Sequence, residues 1–172
     1  MSTVGFSHES TRNESKEWYT PPTIFNALKL SFDLDVASPG AAVVPWIPAA
    51  RHLTLNENGL MTPWIGRMWC NPPYGNDTAL WLARFCSQNC TGVFLCFART
   101  GTRWFHSFVP QVDGICFLKG RVKFICGDGK EHTSGCGADS MLLARGDDEV
   151  LAVENSGLGL CFRAMDIQKG KP

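Results

Sequence analysis

Residues 91–98 read TGVFLCFA, a nearly continuous apolar run of strand length. A strand that is apolar at successive positions must be covered on both faces, the situation inside a parallel sheet flanked by helices. The surrounding segments alternate in the manner such a sheet needs. PPTIFNALKL places Ile24, Phe25 and Leu28 at helical spacing behind Pro21 and Pro22. FDLDVASP alternates Phe32, Leu34 and Val36 with Asp33, Asp35 and Ser38, a strand that runs into a loop. RMWCNPPYG is a short apolar strand stopped by two prolines. DTALWLARFCSQN returns to helical spacing through Leu80, Leu82, Ala83, Phe85 and Cys86, with Asp77 or Thr78 as cap.

Further along, TRWFHSFV predicts a short helix and GICFLKGRVKFIC two strands around Lys119–Gly120–Arg121. SMLLARG and GLCFRAMDI supply the last strands, while 43–66, rich in Pro, Asn and Gly, reads as irregular. Residues 1–16 read as a flexible lead-in to a single domain over 17–172. The expectation is an α/β fold with a mostly parallel sheet and an antiparallel edge. Ligands of such sheets bind beyond the carboxyl ends of the strands, where both Asp35–Ser38 and Asn71–Tyr74 fall.

Composition narrows the function classes. No apolar run approaches the roughly 18 residues of a membrane span, and the polar N-terminus has no signal-peptide core, so an intracellular, cytoplasmic chain is expected. Cys70, Cys96, Cys116 and Cys161 sit inside apolar runs, where free cysteine acts as a small hydrophobe. Cys126, His132 and Cys136 match no common zinc spacing, so no metal is expected. Formal net charge is zero, but Arg99, Arg103, Lys119, Arg121, Lys123 and Lys130 cluster against only Asp113 and Asp128. Such a basic middle fits a local anion-binding face.

The stretch Asn71-Pro72-Pro73-Tyr74 carries the chemistry. A primary amine on an aromatic base is a poor nucleophile because its lone pair is delocalised into the ring. Two acceptors at a fixed separation, taking both amine protons, favour a more electron-rich nitrogen. The Asn71 side-chain oxygen and the Pro72 carbonyl are such a pair, and proline fixes the backbone that carries them. Tyr74 can stack on the base, worth roughly 1–3 kcal/mol.

Asn-Pro-Pro-Tyr resembles the catalytic motif of amino-group methyltransferases. The wider pattern is more specific: EWYTPPTIFNALKLSFDLDVASP, GLMTPWIGRMWCNPPYG, FLCFARTGTRWFH, FLKGRVKF and SMLLA, in that order, resemble the phage-type (Dam-like) DNA N-6-adenine methyltransferases over residues 17–145. The resemblance implies a Rossmann-like methyltransferase fold, S-adenosylmethionine as donor and adenine in double-stranded DNA as acceptor. It makes Asn71, Pro72, Pro73 and Tyr74 the catalytic loop and sets Tyr19, Thr20 and Pro21 against the donor's methionine part. DVASPG resembles the first donor-binding loop and implicates Asp35, Ala37 and Ser38, although its single glycine is Gly40 rather than a Gly-x-Gly.

A duplex base must be extruded before its amine is reachable, at a few kcal/mol that strand contacts must offset. Arg99, Thr102, Arg103, Arg121 and Lys123 are the expected DNA-binding residues. Specificity is expected from loops at 40–66 and 125–138, and a phage enzyme of this type is expected to mask viral DNA from host restriction. The same acceptor geometry also suits RNA adenine or a protein glutamine amide, and a DNA-binding module with a decayed donor site is a further alternative.

Overall fold

The computed structural model describes residues 18–75, 77–87, 89–127 and 138–163. In chain order these form β1 (Trp18–Tyr19), α1 (Pro22–Leu28), β2 (Phe32–Asp35), β3 (Ala49–His52), β4 (Arg67–Cys70), α2 (Thr78–Ser87) and β5 (Thr91–Phe97). Then come α3 (Arg103–Phe108), a 3-10 turn (Val109–Gln111), β6 (Gly114–Leu118), β7 (Ile125–Cys126), β8 (Ser140–Arg145), α4 (Asp147–Asn155) and β9 (Gly159–Arg163).

Seven strands make one sheet in the order β3-β2-β4-β5-β8-β6-β9, and β1 pairs with β7 separately. The apolar run of β5 lies at its centre, and its side chains explain the layers. Val93 and Leu95 point into one core with Ile24, Phe25 and Leu28 of α1 and Val150 and Val153 of α4. Phe94 and Cys96 point into the other, with Trp81, Leu82 and Phe85 of α2 and Val109. A strand between two helical layers has no wet face, which is why its sequence does not alternate.

The sheet is more mixed than expected. The pairings β3–β2, β2–β4 and β4–β5 are parallel, whereas β5–β8, β8–β6 and β6–β9 are antiparallel. The antiparallel part is thus half of the pairings rather than an edge. Because β5 and β6 both oppose β8, β6 runs with β5, and the carboxyl ends of β2, β3, β4, β5 and β6 share one end of the sheet.

Other expectations shift too. Strand β3 lies inside the stretch read as irregular: it is short, at the sheet's edge, and its two central residues, Ala50 and Arg51, are exposed, so no strong patterning results. Helix α4 does not show in the sequence, since its buried residues are Val150, Val153 and the acid Glu149 and the segment reads as an acidic run. Segment 121–124 has no strand pairing and β7 joins β1 rather than β6. The lead-in, His132 and Cys136, and most of the 125–138 loop lie outside the described residues.

Candidate active site at the carboxyl end of the sheet

The chain leaves β4 at Cys70 and enters the proline-locked segment. Pro72 is buried, Pro73 exposed, and Asn71 and Tyr74 are half-buried. Asn71 Nδ2 donates to the Trp18 carbonyl at 2.6 Å, and the Tyr74 hydroxyl donates to Asn71 Oδ1 at 2.8 Å. A carbonyl can only accept, so the contact with Trp18 fixes the amide's orientation and turns Oδ1 toward Tyr74. The Tyr74 ring stacks on Phe97 with centroids 4.0 Å apart and meets Phe124 edge-on at 5.7 Å. Trp18 also meets Phe124 edge-on, at 5.9 Å. Three chain segments far apart in sequence therefore brace the loop: β1, the end of β5 and the segment before β7.

The loop after β2 lies next door, because β2 and β4 are parallel neighbours. Asp35 is buried to 1% exposure and Ser38 is buried, while Ala37 is half-buried against the core. His52, which ends β3 opposite Asp35, brings Nδ1 to 3.3 Å from Asp35 Oδ2 and 2.9 Å from Ser38 Oγ. Gly40, at φ 105°, donates its N–H to Ser38 Oγ, and that positive φ is the reason for glycine there. His52 carries no signal in the sequence, because the strand that delivers it is not legible there. Asp33, by contrast, faces away from this end and accepts the backbone N–H of Arg67 at 2.7 Å.

Thr20 follows β1, with Tyr19 half-buried and Pro21 buried beside it. The Trp46 indole donates to the Thr20 carbonyl at 2.8 Å. The Thr20 hydroxyl is fully buried and has no hydrogen-bond partner among the described residues. So is that of Ser140, which pairs with Phe97 at the same end of the sheet. Cys70, immediately before Asn71, is no nucleophile: burial, then the charge of Asp35 and the neighbouring Cys96 and Cys90, pushes its thiol well up.

The DNA N-6-adenine-methyltransferase (Dam) family model matches residues 8–152. The chain belongs to this family. No curated protein matches it. In this Dam-family protein the five sequence blocks that carried the resemblance contribute to one end of the sheet: β1 with the β2 loop, the proline loop, the end of β5, the segment after β6 and the start of β8.

The expected DNA contacts divide. Arg99, Arg103, Arg121 and Lys123 are exposed. Arg99 lies over the Phe97 ring at 5.9 Å, next to the Tyr74 stack. The buried Val122 and Phe124 alternate with the exposed Arg121 and Lys123, so both cations face solvent although no strand pairing holds them. The Thr102 hydroxyl is engaged locally: it donates to the Arg99 carbonyl at 2.8 Å and caps α3 by accepting from Phe105 N. Trp104 and Phe105 pack against the core.

Proposed function

We propose that this Dam-family protein transfers a methyl group from S-adenosylmethionine to the exocyclic N6 of an adenine extruded from double-stranded DNA, on a Rossmann-like methyltransferase fold. The observation that carries the reading is the oriented Asn71 carboxamide. Its nitrogen is committed to Trp18, which leaves Oδ1 to accept, and a carbonyl oxygen with two lone pairs can take a substrate amine beside the Tyr74 hydroxyl. With the Pro72 carbonyl, Asn71 would hold both amine protons and keep the nitrogen lone pair aimed at the methyl group. Tyr74, already backed by Phe97, would offer a preorganised ring to the base.

The residues present fit the donor. A buried, unpartnered Thr20 hydroxyl beside the proline loop needs a ligand to satisfy it, and the buried Asp35 carboxylate, partnered by His52, has acceptor capacity left. When bound, S-adenosylmethionine supplies an electrophilic methyl on a positively charged sulfur. Tyr19, Thr20 and Pro21 would lie along its methionine part, and Asp35, Ala37 and Ser38 would form the adjoining wall. The N6 proton leaves to water, as no side chain at the site is needed as a base.

Arg99, Arg103, Arg121 and Lys123 would track the phosphates around the extruded base. Site preference would come from the loops around them. Between 40 and 66, Leu55 is 92% exposed, Ile65 77% and Met61 76%, apolar side chains that protrude where a groove could be read. By its likeness to phage-type enzymes, the protein would protect viral DNA from host restriction.

The test is methyl transfer from labelled S-adenosylmethionine to unmethylated duplex DNA, followed by nucleoside digestion and mass analysis. N6-methyldeoxyadenosine, absent with Asn71→Ala, is the expected product. Methyl transfer to RNA or to a protein glutamine instead would replace the substrate, and a folded protein that binds no donor would overturn the enzyme reading.

A further inference from the structure

The end of β3 supplies a residue that the proline loop and the donor loop do not account for. His52 and Asp35 close two parallel strands in register, and the chain beyond them stays zipped: Leu53 N donates to the Asp35 carbonyl at 2.8 Å and Ser38 N to the Leu53 carbonyl at 2.9 Å. Between these backbone bonds the His52 side chain, 8% exposed, sits against an Asp35 side chain that is 2% exposed. Its Nδ1 is within reach of both Asp35 Oδ2 (3.3 Å) and Ser38 Oγ (2.9 Å).

The chemistry of these three groups limits what each can offer a ligand. A carboxylate only accepts, so the Nδ1 facing Asp35 carries a proton, which the serine oxygen shares. Ser38 Oγ already accepts the Gly40 N–H. With both its lone pairs engaged, the Ser38 hydroxyl is left to donate, while Asp35 keeps its remaining lone pairs as acceptors. One imidazole N–H therefore sets an acceptor and a donor side by side at the carboxyl end of β2. Without it, the buried carboxylate would lose a partner and the serine its orientation.

We infer that His52 is a positioning residue for the methyl donor, holding the Asp35 carboxylate and the Ser38 hydroxyl in the geometry that binds S-adenosylmethionine. This rests on the reading that Asp35 and Ser38 meet the donor. His52 itself touches neither the methyl group nor the base, so its removal weakens donor binding and leaves the chemical step intact.

Calorimetric titration of the folded protein with S-adenosylmethionine, beside steady-state kinetics on duplex DNA, tests this. His52→Ala should weaken donor binding about tenfold or more, the worth of one hydrogen bond to a charged group. At saturating donor its kcat should stay within about twofold of the parent, the pattern of lost uniform binding. His52→Asn, whose Nδ2 takes the place of Nδ1, should restore affinity, and His52→Leu, of similar bulk without the N–H, should not. If the alanine protein does not fold, the asparagine and leucine proteins carry the comparison alone.

Asparagine and leucine binding the donor equally would overturn the inference, since packing would then be the whole role. A donor affinity lost in Asp35→Ala but unchanged in the His52 variants would also overturn it, with the donor assignment intact. Unchanged affinity in Asp35→Ala and His52→Ala alike would remove the donor assignment itself, and the inference with it.

Discussion

The two ends of the sheet are built differently. At the amino end an open depression of about 640 Å³ is lined by Asp33, Arg67, Asp113 and Arg145, among others. Its charges answer one another. Arg67 pairs with the fully buried Glu149 at 2.6 Å and with Asp148 at 3.2 Å. Asp113 accepts the Gly146 N–H at 2.8 Å, and the Arg145 guanidinium donates to the Phe85 carbonyl. At the carboxyl end, by contrast, the hydroxyls of Thr20 and Ser140 are buried without partners among the described residues, and Asn71 and Tyr74 are held in an aromatic frame. Folding normally satisfies buried polar groups, so a cluster left open marks where a ligand completes the structure. The depression at the amino end is therefore closed by its own charges, and the carboxyl end is the candidate for chemistry.

Substitutions at the two ends should part stability from activity. The largest effect is expected for Asn71→Ala: methyl transfer should fall by about 10²–10³-fold or more, as when one preorganised charge-stabilising group is removed. Its unfolding midpoint should barely move, and a collapse of stability would erase the contrast. Glu149→Ala should do the reverse. Breaking a buried ion pair costs about 3–5 kcal/mol, and the 28% exposure of the Arg67 side chain sets the expectation near the lower bound. Denaturant unfolding measures this, while activity per folded molecule should be unchanged.

Tyr74 sharpens the comparison from within the site. Tyr74→Ala should raise the KM for DNA by the value of one stacked base, about 1–3 kcal/mol. Tyr74→Phe keeps the ring and loses the hydroxyl that donates to Asn71 Oδ1, so it should spare KM and act mainly on kcat. The smallest effects belong to Arg121→Ala and Lys123→Ala. Each should lower the slope of log affinity against log salt by about 0.9, with kcat at saturating DNA unaffected. A salt slope that responds instead to Arg67→Ala would put the nucleic acid at the wrong end.

Much of this was legible in the chain, for reasons that differ by residue. TGVFLCFA announced a doubly covered strand because burial on both faces leaves no polar position. The rigidity of Asn71-Pro72-Pro73-Tyr74 was legible because it is written in adjacent residues, whereas the donor-binding role proposed for Thr20, Asp35 and Ser38 rests on the family resemblance. Residues whose role depends on a distant partner were not legible. His52 looks like any histidine in a Pro- and Gly-rich stretch until β3 aligns with β2. Glu149 reads as one of several acids until α4 presses it onto Arg67, 82 positions away. Arg121 and Lys123, expected on a strand, are both exposed, but segment 121–124 has no strand pairing and the strand begins only at Ile125, against β1.

The sequence by itself determined that TGVFLCFA is covered on both faces, where the rigid proline loop lies, and which family the chain resembles, since each is a property of neighbouring residues. Only the tertiary structure decided that half of the sheet pairings are antiparallel, that Trp18 fixes the orientation of Asn71, and that His52 joins Asp35 and Ser38. Those facts arise from strand order and register, which hydrogen bonds between distant segments set and no local pattern encodes.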